Sequence, residues 1–412
     1  MYKYFLDSVH GNIKICSNIL QIIHLPEFQR LKKIRQLGNA HYVFMGATHT
    51  RFEHSIGVSY LCGQLLTNIK DNQPTLNIDD RTILLVKVAG LFHDIGHGCF
   101  SHLFDSHFLK VKLTGTELEK YIDHEYRSVK IIKYIMEKYK LPYTEEEISF
   151  ICNLITHEEE YLRAPFLYEI VSNIKSGLDC DKIDYLIRDT RSVGIRSSIN
   201  YDKMFMGARV IDNTICYPYD DALDIFQLFH LRYIMHKKVY QHKTIREIDY
   251  MIADVLCDID TRLDISGKIS NIDEFCKCID CITDIDIFMH PNTTTSLLMN
   301  RIGMRDLYKC IHYSINDKVN VTEKYIEMLQ DDKISKNIMN VVLDISTINY
   351  NMKHKNPMDE IYFYIDNNIE KKVKLNSNSI IYPTIFQETI SMIIAKNNAT
   401  FLGPYIKEKY DL

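Results

Sequence analysis

A chain of 412 residues, 46% hydrophobic and 25% charged, is long enough for one large or two medium domains with a sizeable core. Its net charge of -5 gives no global footprint for nucleic acid, so only a local basic cluster could bind phosphates. There is no secretory signal and no apolar run long enough to span a bilayer, and eleven scattered cysteines read as reduced thiols, so the expected setting is intracellular and soluble, away from any membrane.

In chain order, residues 1 to about 25 read as a strand-like opening with a turn at His10-Gly11-Asn12. Pro26 then starts a helix at a favoured first-turn position. Phe28, Leu31, Ile34 and Leu37 continue it at helical spacing, and Gly38 ends it. Its basic residues, Arg30, Lys32, Lys33 and Arg35, read by default as a solvated face, with a phosphate-facing role as the sharper alternative. Thr50-Arg51-Phe52-Glu53-His54-Ser55 leads into an apolar helix through Leu66. His54 near its start could supply a metal ligand, and Arg51 could reach a phosphate.

The informative stretch comes next. An apolar helix, Ile83 to Phe92, runs straight into His93-Asp94, followed by Gly96-His97-Gly98 and Ser101-His102. Imidazole beside carboxylate suits a borderline divalent metal such as iron, zinc or manganese. Three imidazoles and one carboxylate in ten residues are costly to bury unless they are used. Gly96 and Gly98 allow a sharp turn and a close backbone approach, with His97 and His102 just beyond.

Asp123 is a plausible cap for a helix from Tyr126 to Tyr139, with His124 at its start, and Thr144 with Glu147 fits a capping box. On the helix through Cys180-Asp181-Lys182-Ile183-Asp184-Tyr185, positions 181, 185, 188 and 189 share a face that offers carboxylates and a phenol. Further on, Arg232, His236, Tyr240 and Lys243 fall on one stripe at steps of four, four and three. Arg and Lys donate to phosphate, while His and Tyr suit sugar hydroxyls or base edges; a solvated stripe is the competing reading. Cys276, Cys278 and Cys281 have no second His or Cys pair nearby, so zinc is not expected there. Val341–Ile345 and Glu360–Ile365 read as strands, the second joined to 371–375 by an Asp366-Asn367-Asn368 turn, and Pro383 precedes a last apolar helix to about Lys396. The expected class is mainly α: a helical core over 1–290 and a smaller C-terminal α+β lobe over 291–412 packed on it.

Arg51-Phe52-Glu53-His54-Ser55, His93-Asp94 with Gly96-His97 and Ser101-His102, and Asp181-Lys182 together resemble an HD-superfamily phosphohydrolase. The chain is most similar to the catalytic HD part of the metazoan SAM-and-HD-domain deoxynucleoside triphosphate triphosphohydrolases, without their SAM part. Further matches in order are His10-Gly11, Gln36-Leu37-Gly38, Phe166 to Asn173, Tyr240-Gln241-His242-Lys243 and Lys355-Asn356-Pro357. The resemblance implies an HD-domain core in which His54, His93, Asp94 and Asp181 hold one transition metal (Fe, Zn or Mn), with Mg2+ on the substrate phosphates. It implies hydrolysis of a dNTP at the α-phosphorus, giving deoxynucleoside and intact triphosphate. His102 is then the candidate acid, with His97 and His124 beside it. Arg51, Lys182, Tyr185 and Arg232 would hold the phosphates. Gln36, Asp189 and Tyr240 would meet the sugar, Tyr240 crowding a 2′-hydroxyl, and Leu37, His236 and Gln241 would complete the sugar and base side.

The same resemblance implies a homo-oligomer, dimer or tetramer, with nucleotide activators at subunit contacts. Lys3, Arg30 and Arg209 match the activator-binding positions, whereas His24, Lys32, Pro218 and Asp220 depart from them. Activity without a guanine-nucleotide activator is therefore expected. Two other readings remain open: a phosphohydrolase acting on a different phosphate ester, and a nucleic-acid-binding regulatory module with a vestigial site.

Overall fold

The computed structural model describes residues 2–158, 161, 163–280, 293–331, 341–365, 368–376, 380, 382–397 and 399–411. The chain opens with a hairpin: β1 (Tyr2–Asp7) pairs antiparallel with β2 (Gly11–Cys16), Asp7 standing opposite Gly11, whose φ of +69° favours a residue without Cβ. Helix α1 (Ser17–Ile23) follows directly.

Pro26 does stand at the first turn of a helix, α2 (Pro26–Gln29), but that helix does not reach Leu37. It tightens into a 3-10 turn over Arg30–Lys33, Ile34 is extended, and Arg35 pairs with Thr50 in an isolated bridge. The reason lies with Arg30. It is buried instead of solvated, and it donates to the backbone oxygens of His97 (2.7 Å) and Ile95. A regular helix is given up so that this guanidinium can brace the turn after His93-Asp94.

Helix α3 (Arg51–Asn72) starts at a full capping box, Thr50 with Glu53, and runs past Leu66. Helix α4 (Asp80–Phe92), capped by Asp79, buries Leu85, Val86, Val88, Ala89, Leu91 and Phe92 and ends at His93. Beyond the turn, Phe104–Leu109 is π-helical and leads into α5 (Lys110–Leu113). Asp123 caps α6 (His124–Lys138) and Thr144 with Glu147 caps α7 (Glu145–Thr156), both as the residue types imply. Helix α8 (Cys180–Val193) is capped by Asp179, and α9 (Tyr201–Gly207) follows. Helix α10 (Ala222–Met235) passes into a π-helical turn over His236–Tyr240 before α11 (Lys243–Leu263) begins. Lys243 therefore starts a new helix and leaves the stripe of Arg232, His236 and Tyr240.

The protein is mainly α, with small sheets towards its C-terminal part. After α12 (Ile265–Lys268), α13 (Ile272–Asp280) and α14 (Thr293–Gly303) come β5 (Lys309–Ile315), α15 (Lys318–Leu329) and β6 (Val341–Asn349). Cys276 lies in α13, while Cys281 falls outside the described residues. The chain's middle gives β3 (Arg209–Ile211) and β4 (Thr214–Pro218); β4 pairs in parallel with β7 (Tyr362–Ile365), which pairs with β8 (Asn368–Val373). The start of the expected turn, Asp366 and Asn367, falls outside the described residues.

The expected last helix after Pro383 is instead β9 (Gln387–Ala395), and a helix, α16 (Ala399–Tyr410), comes later. The run Ile390 to Ala395 is apolar enough for either form. It becomes a strand because it sits between β5 and β6, where both edges find backbone partners.

Where β6 meets α11, Arg246 donates through Nε and Nη2 to Asp344 (2.9 and 2.8 Å), and Nη2 lies 2.7 Å from His107 Nε2. Burial and the Arg246 charge push His107 down to about 3. Because this value is depressed, the stability contributed by a neutral His107 is present above the unfolded value, about 6.5, and is lost as pH falls from there towards 3. Thermal unfolding between pH 7 and 4 is expected to show a steeper loss of midpoint for the native protein than for His107→Asn. Parallel curves would contradict this.

Candidate metal centre and active-site cavity

His54 lies in the first turn of α3, His93 and Asp94 follow the end of α4, and Asp181 lies in the first turn of α8. The donor atoms of His54, His93 and Asp94 lie within 4.8 Å of one another. Asp181 Oδ1 is 3.1 Å from His54 Nε2 and 3.4 Å from His93 Nε2, and the two imidazole nitrogens are 3.2 Å apart. Donors held at about 2.1 Å from one cation lie about 3 to 3.4 Å from each other, so these side chains fit a divalent metal.

Their outward nitrogens are fixed. His93 Nδ1 donates to Gly90 O at 2.8 Å and His54 Nδ1 to Asp184 Oδ2 at 2.8 Å, which leaves both Nε2 lone pairs facing the centre. Asp184 is itself held by Arg188 (2.8 and 2.9 Å) and by His10 Nε2 (2.6 Å), and Arg188 reaches Asp7 on β1 at 2.9 Å. Asp184→Asn is expected to weaken metal binding about 10- to 100-fold, as loss of such an orienting carboxylate does elsewhere. A competition titration against a chelator measures it, and unchanged affinity would contradict the assignment.

Burial alone would lower the His93 imidazole; the Asp94 and Asp181 carboxylates outweigh it and push it up to about 10. His54 is raised in the same way, while Arg51 and His93 hold Asp94 well below the usual carboxylate range despite its burial. A field that draws protons so strongly draws a divalent cation too.

Gly96 and Gly98 act by close approach. A Cβ at Gly96 would meet His124 O at 2.1 Å, and one at Gly98 the Phe104 ring at 2.3 Å. The sharp turn itself falls on Phe100 (φ +59°) and Ser101 (φ +56°), which carry the left-handed backbone that glycine would favour.

A cavity of about 800 Å³ opens over the centre. Asp94 and Asp181 reach it from below, and its wall includes Gln36, Leu37, Arg51, His97, His102, His124, Tyr185, Asp189, Arg232, His236, Tyr240 and Gln241. Arg51 bridges Asp94 Oδ2 (2.5 Å) and Ser101 Oγ (2.9 Å). Tyr240 donates to Asp189 Oδ2 and His49 Nε2 meets Asp189 Oδ1, both at 2.7 Å. Arg232 is tied to Asn349 O at the end of β6. Lys182 does not reach this wall; it turns back onto Asp179 at 2.8 Å. Gln36 Oε1, Gln241 Oε1 and His236 Nδ1 are buried without a protein hydrogen bond, so a ligand with hydroxyls or amides would complete them.

The rings of His97 and His124 stack at 3.9 Å and 22°, and His102 stands edge-on to both. With Asp105, these three also bring donor atoms within 4.8 Å. Stacked rings, however, aim their lone pairs side by side instead of at one point, so the cluster fits proton handling better than a second metal. Burial would lower His124, but Asp105, at 3.1 Å from its Nδ1, raises it. Arg127 in turn holds Asp105 low. Loss of hydration inside the cavity and the Arg51 charge hold the buried His97 well below the ordinary imidazole range. The same two causes push His102 down to about 4, although its side chain keeps an exposed face that softens the effect.

Asp184, Asp105, Arg127 and His49 were not singled out by residue type or motif. Asp184 carries a signal only in retrospect: it lies one turn after Asp181, opposite the long-range partners His10 and His54.

The HD domain model matches residues 51–189, and the HD associated region model matches 227–387. The deoxynucleoside triphosphate triphosphohydrolase SAMHD1 of Bos taurus is 33% identical, the alignment covering 96% of this chain and 75% of that protein. The SAMHD1 homolog of Dictyostelium discoideum is 34% identical over 94% of this chain and 76% of its own length. An HD domain-containing protein of Acanthamoeba polyphaga mimivirus is 34% identical over 88% and 85%.

Proposed function

The chain belongs to the HD-domain family that includes the SAMHD1 deoxynucleoside triphosphate triphosphohydrolases, and from that premise we propose that it hydrolyses a dNTP to the deoxynucleoside and inorganic triphosphate. The observation that carries this reading is the convergence of His54, His93 and Asp94, joined by Asp181, beneath a cavity with Arg51 and Arg232 in its wall.

The site is a divalent-metal site, and we take iron, zinc or manganese as its occupant, with Mg2+ accompanying the substrate phosphates. When bound, such an ion supplies Lewis acidity, which polarises a phosphoryl oxygen and lowers the pKa of water. The chain's own residues do the rest. Arg51, Arg232 and Tyr185 hold the triphosphate, and Lys182 joins them by leaving Asp179. Asp189, Tyr240 and Gln36 bind the sugar. The Tyr240 phenol, anchored on Asp189, fills the space beside the 2′ carbon and so favours deoxyribose. Leu37, His236 and Gln241 close the sugar and base side.

His102 gives its imidazole proton to the departing 5′-oxygen. Its low value suits the free enzyme, and a bound triphosphate adds negative charge beside it, which raises it towards the working pH. His124, charged through Asp105, and His97 sit beside it; the His124 charge lowers His102, so the bound triphosphate must outweigh it.

We take residues 1–290 as the catalytic core and 291–412 as a lobe packed on it, in a dimer or tetramer. Among the described residues, no helix is long and apolar enough to cross a membrane. The free thiols of the described cysteines support a reducing, intracellular setting.

Incubation with each dNTP and the matching rNTP tests the reading. Deoxynucleoside and triphosphate are expected from dNTPs, and pyrophosphate would contradict it. Turnover is expected without GTP, because Arg30 is spent on the backbone of Ile95 and His97 and His24 and Asp220 replace the activator-binding types. A protein inert until GTP or dGTP is added would contradict that part.

A further inference from the structure

Four side chains outside the chemistry above form a bonded line from the C-terminal sheet to the backbone of His102. Asp344 on β6 accepts two hydrogen bonds from Arg246 on α11, at 2.9 and 2.8 Å, and a third from Tyr250 at 3.1 Å. Arg246 Nη2 donates to His107 Nε2 at 2.7 Å. His107 Nδ1 lies 2.7 Å from Ser106 Oγ, and Ser106 Oγ donates to His102 O at 2.6 Å.

The proton count closes in one way only. The Ser106 hydroxyl has one hydrogen and gives it to His102 O, so its oxygen must accept from His107 Nδ1–H. His107 Nε2 is then the bare nitrogen, which is what Arg246 requires. Both ring nitrogens are then satisfied and the ring is neutral. The line crosses the π-helical turn 104–109, where the backbone ladder is irregular and a side chain can take over a carbonyl. Ser106, His107, Arg246, Tyr250 and Asp344 all border the same cavity as His102.

We propose that His107 is a positioning residue for His102: it orients the Ser106 hydroxyl, which holds the His102 backbone and so aims the imidazole at the leaving oxygen. Through Arg246 and Asp344, the C-terminal sheet sets that aim. The proposal rests on the reading of His102 as proton donor.

The test uses the full chain loaded with metal, and compares Ser106→Ala, His107→Ala, the double variant, and the partial mimics His107→Asn and His107→Gln. Asn keeps a donor where Nδ1 stood; Gln keeps only a group where Nε2 stood. A positioned acid contributes about 10²- to 10⁴-fold, so losing part of its aim is expected to lower kcat about tenfold in Ser106→Ala, His107→Ala and His107→Gln. KM and bound metal stay unchanged, His107→Asn recovers most of the rate, and the double variant is no worse than either single one.

Additive losses, equal losses in Asn and Gln, or a defect confined to KM or metal content would overturn the positioning role. Ser106 is exposed, so its variant keeps the test usable should His107→Ala fold poorly. No triphosphate release by the unmodified protein would overturn both readings together, whereas an active native enzyme with the wrong variant pattern overturns only this one.

Discussion

Asp181→Asn is expected to lose bound metal and turnover together. The carboxylate touches both metal-facing nitrogens, at 3.1 and 3.4 Å, and it is the one acidic group that α8 contributes to the centre. An amide keeps the shape but removes the charge, and a neutral oxygen is a poor partner for a cation already facing two neutral imidazoles. Lewis-acid stabilisation of a transition state is worth several kcal/mol, so kcat should fall on the order of 10³- to 10⁴-fold. Elemental analysis beside a rate assay checks it. Full metal content with normal turnover would remove Asp181 from the centre.

His102→Ala is expected to separate the two properties that Asp181→Asn removes together. Metal content should remain stoichiometric, because His102 makes no contact with the quartet. Turnover should fall about 10²- to 10⁴-fold, the range a positioned acid supplies. The imidazole opens onto the cavity among His97, His124 and Arg51. The Asp105 carboxylate is held low by Arg127 and the Tyr240 phenol is pushed well up, which leaves His124, raised by Asp105, as the alternative proton donor there. A loss of metal in this variant would mean that the His97, His102, His124 cluster takes part in cation binding. A loss of less than about tenfold would move the acid role to His124.

What was legible in the sequence is what depends on near neighbours. The His93-Asp94 pair announces itself because an apolar helix delivers it to the interior, and α4 does so. The caps Asp123 and Thr144 act within three residues and are where the residue types put them. The class, mainly α with small sheets towards the C-terminus, follows from periodicity of the same short range.

What was not legible depends on partners far along the chain. Residues 30–37 have helical spacing, yet Arg30 bonds to carbonyls 65 and 67 residues away and the helix breaks. Ile390 to Ala395 has no preference until β5 and β6 flank it. Asp184 looks like one more charge on an amphipathic helix, and its meaning comes from His54 and His10, 130 and 174 residues distant. The stripe through Arg232, His236 and Tyr240 survives, but the π-turn over 236–240 ends it before Lys243.

The most direct measurement is hydrolysis of a dNTP by the metal-loaded protein in isotopically labelled water, with the products read by phosphorus NMR and mass spectrometry. Attack at the α-phosphorus over His54, His93, Asp94 and Asp181 predicts one labelled oxygen on a terminal phosphorus of inorganic triphosphate, and an unlabelled deoxynucleoside. Pyrophosphate with a labelled monophosphate, or no turnover with the metal in place, would contradict it.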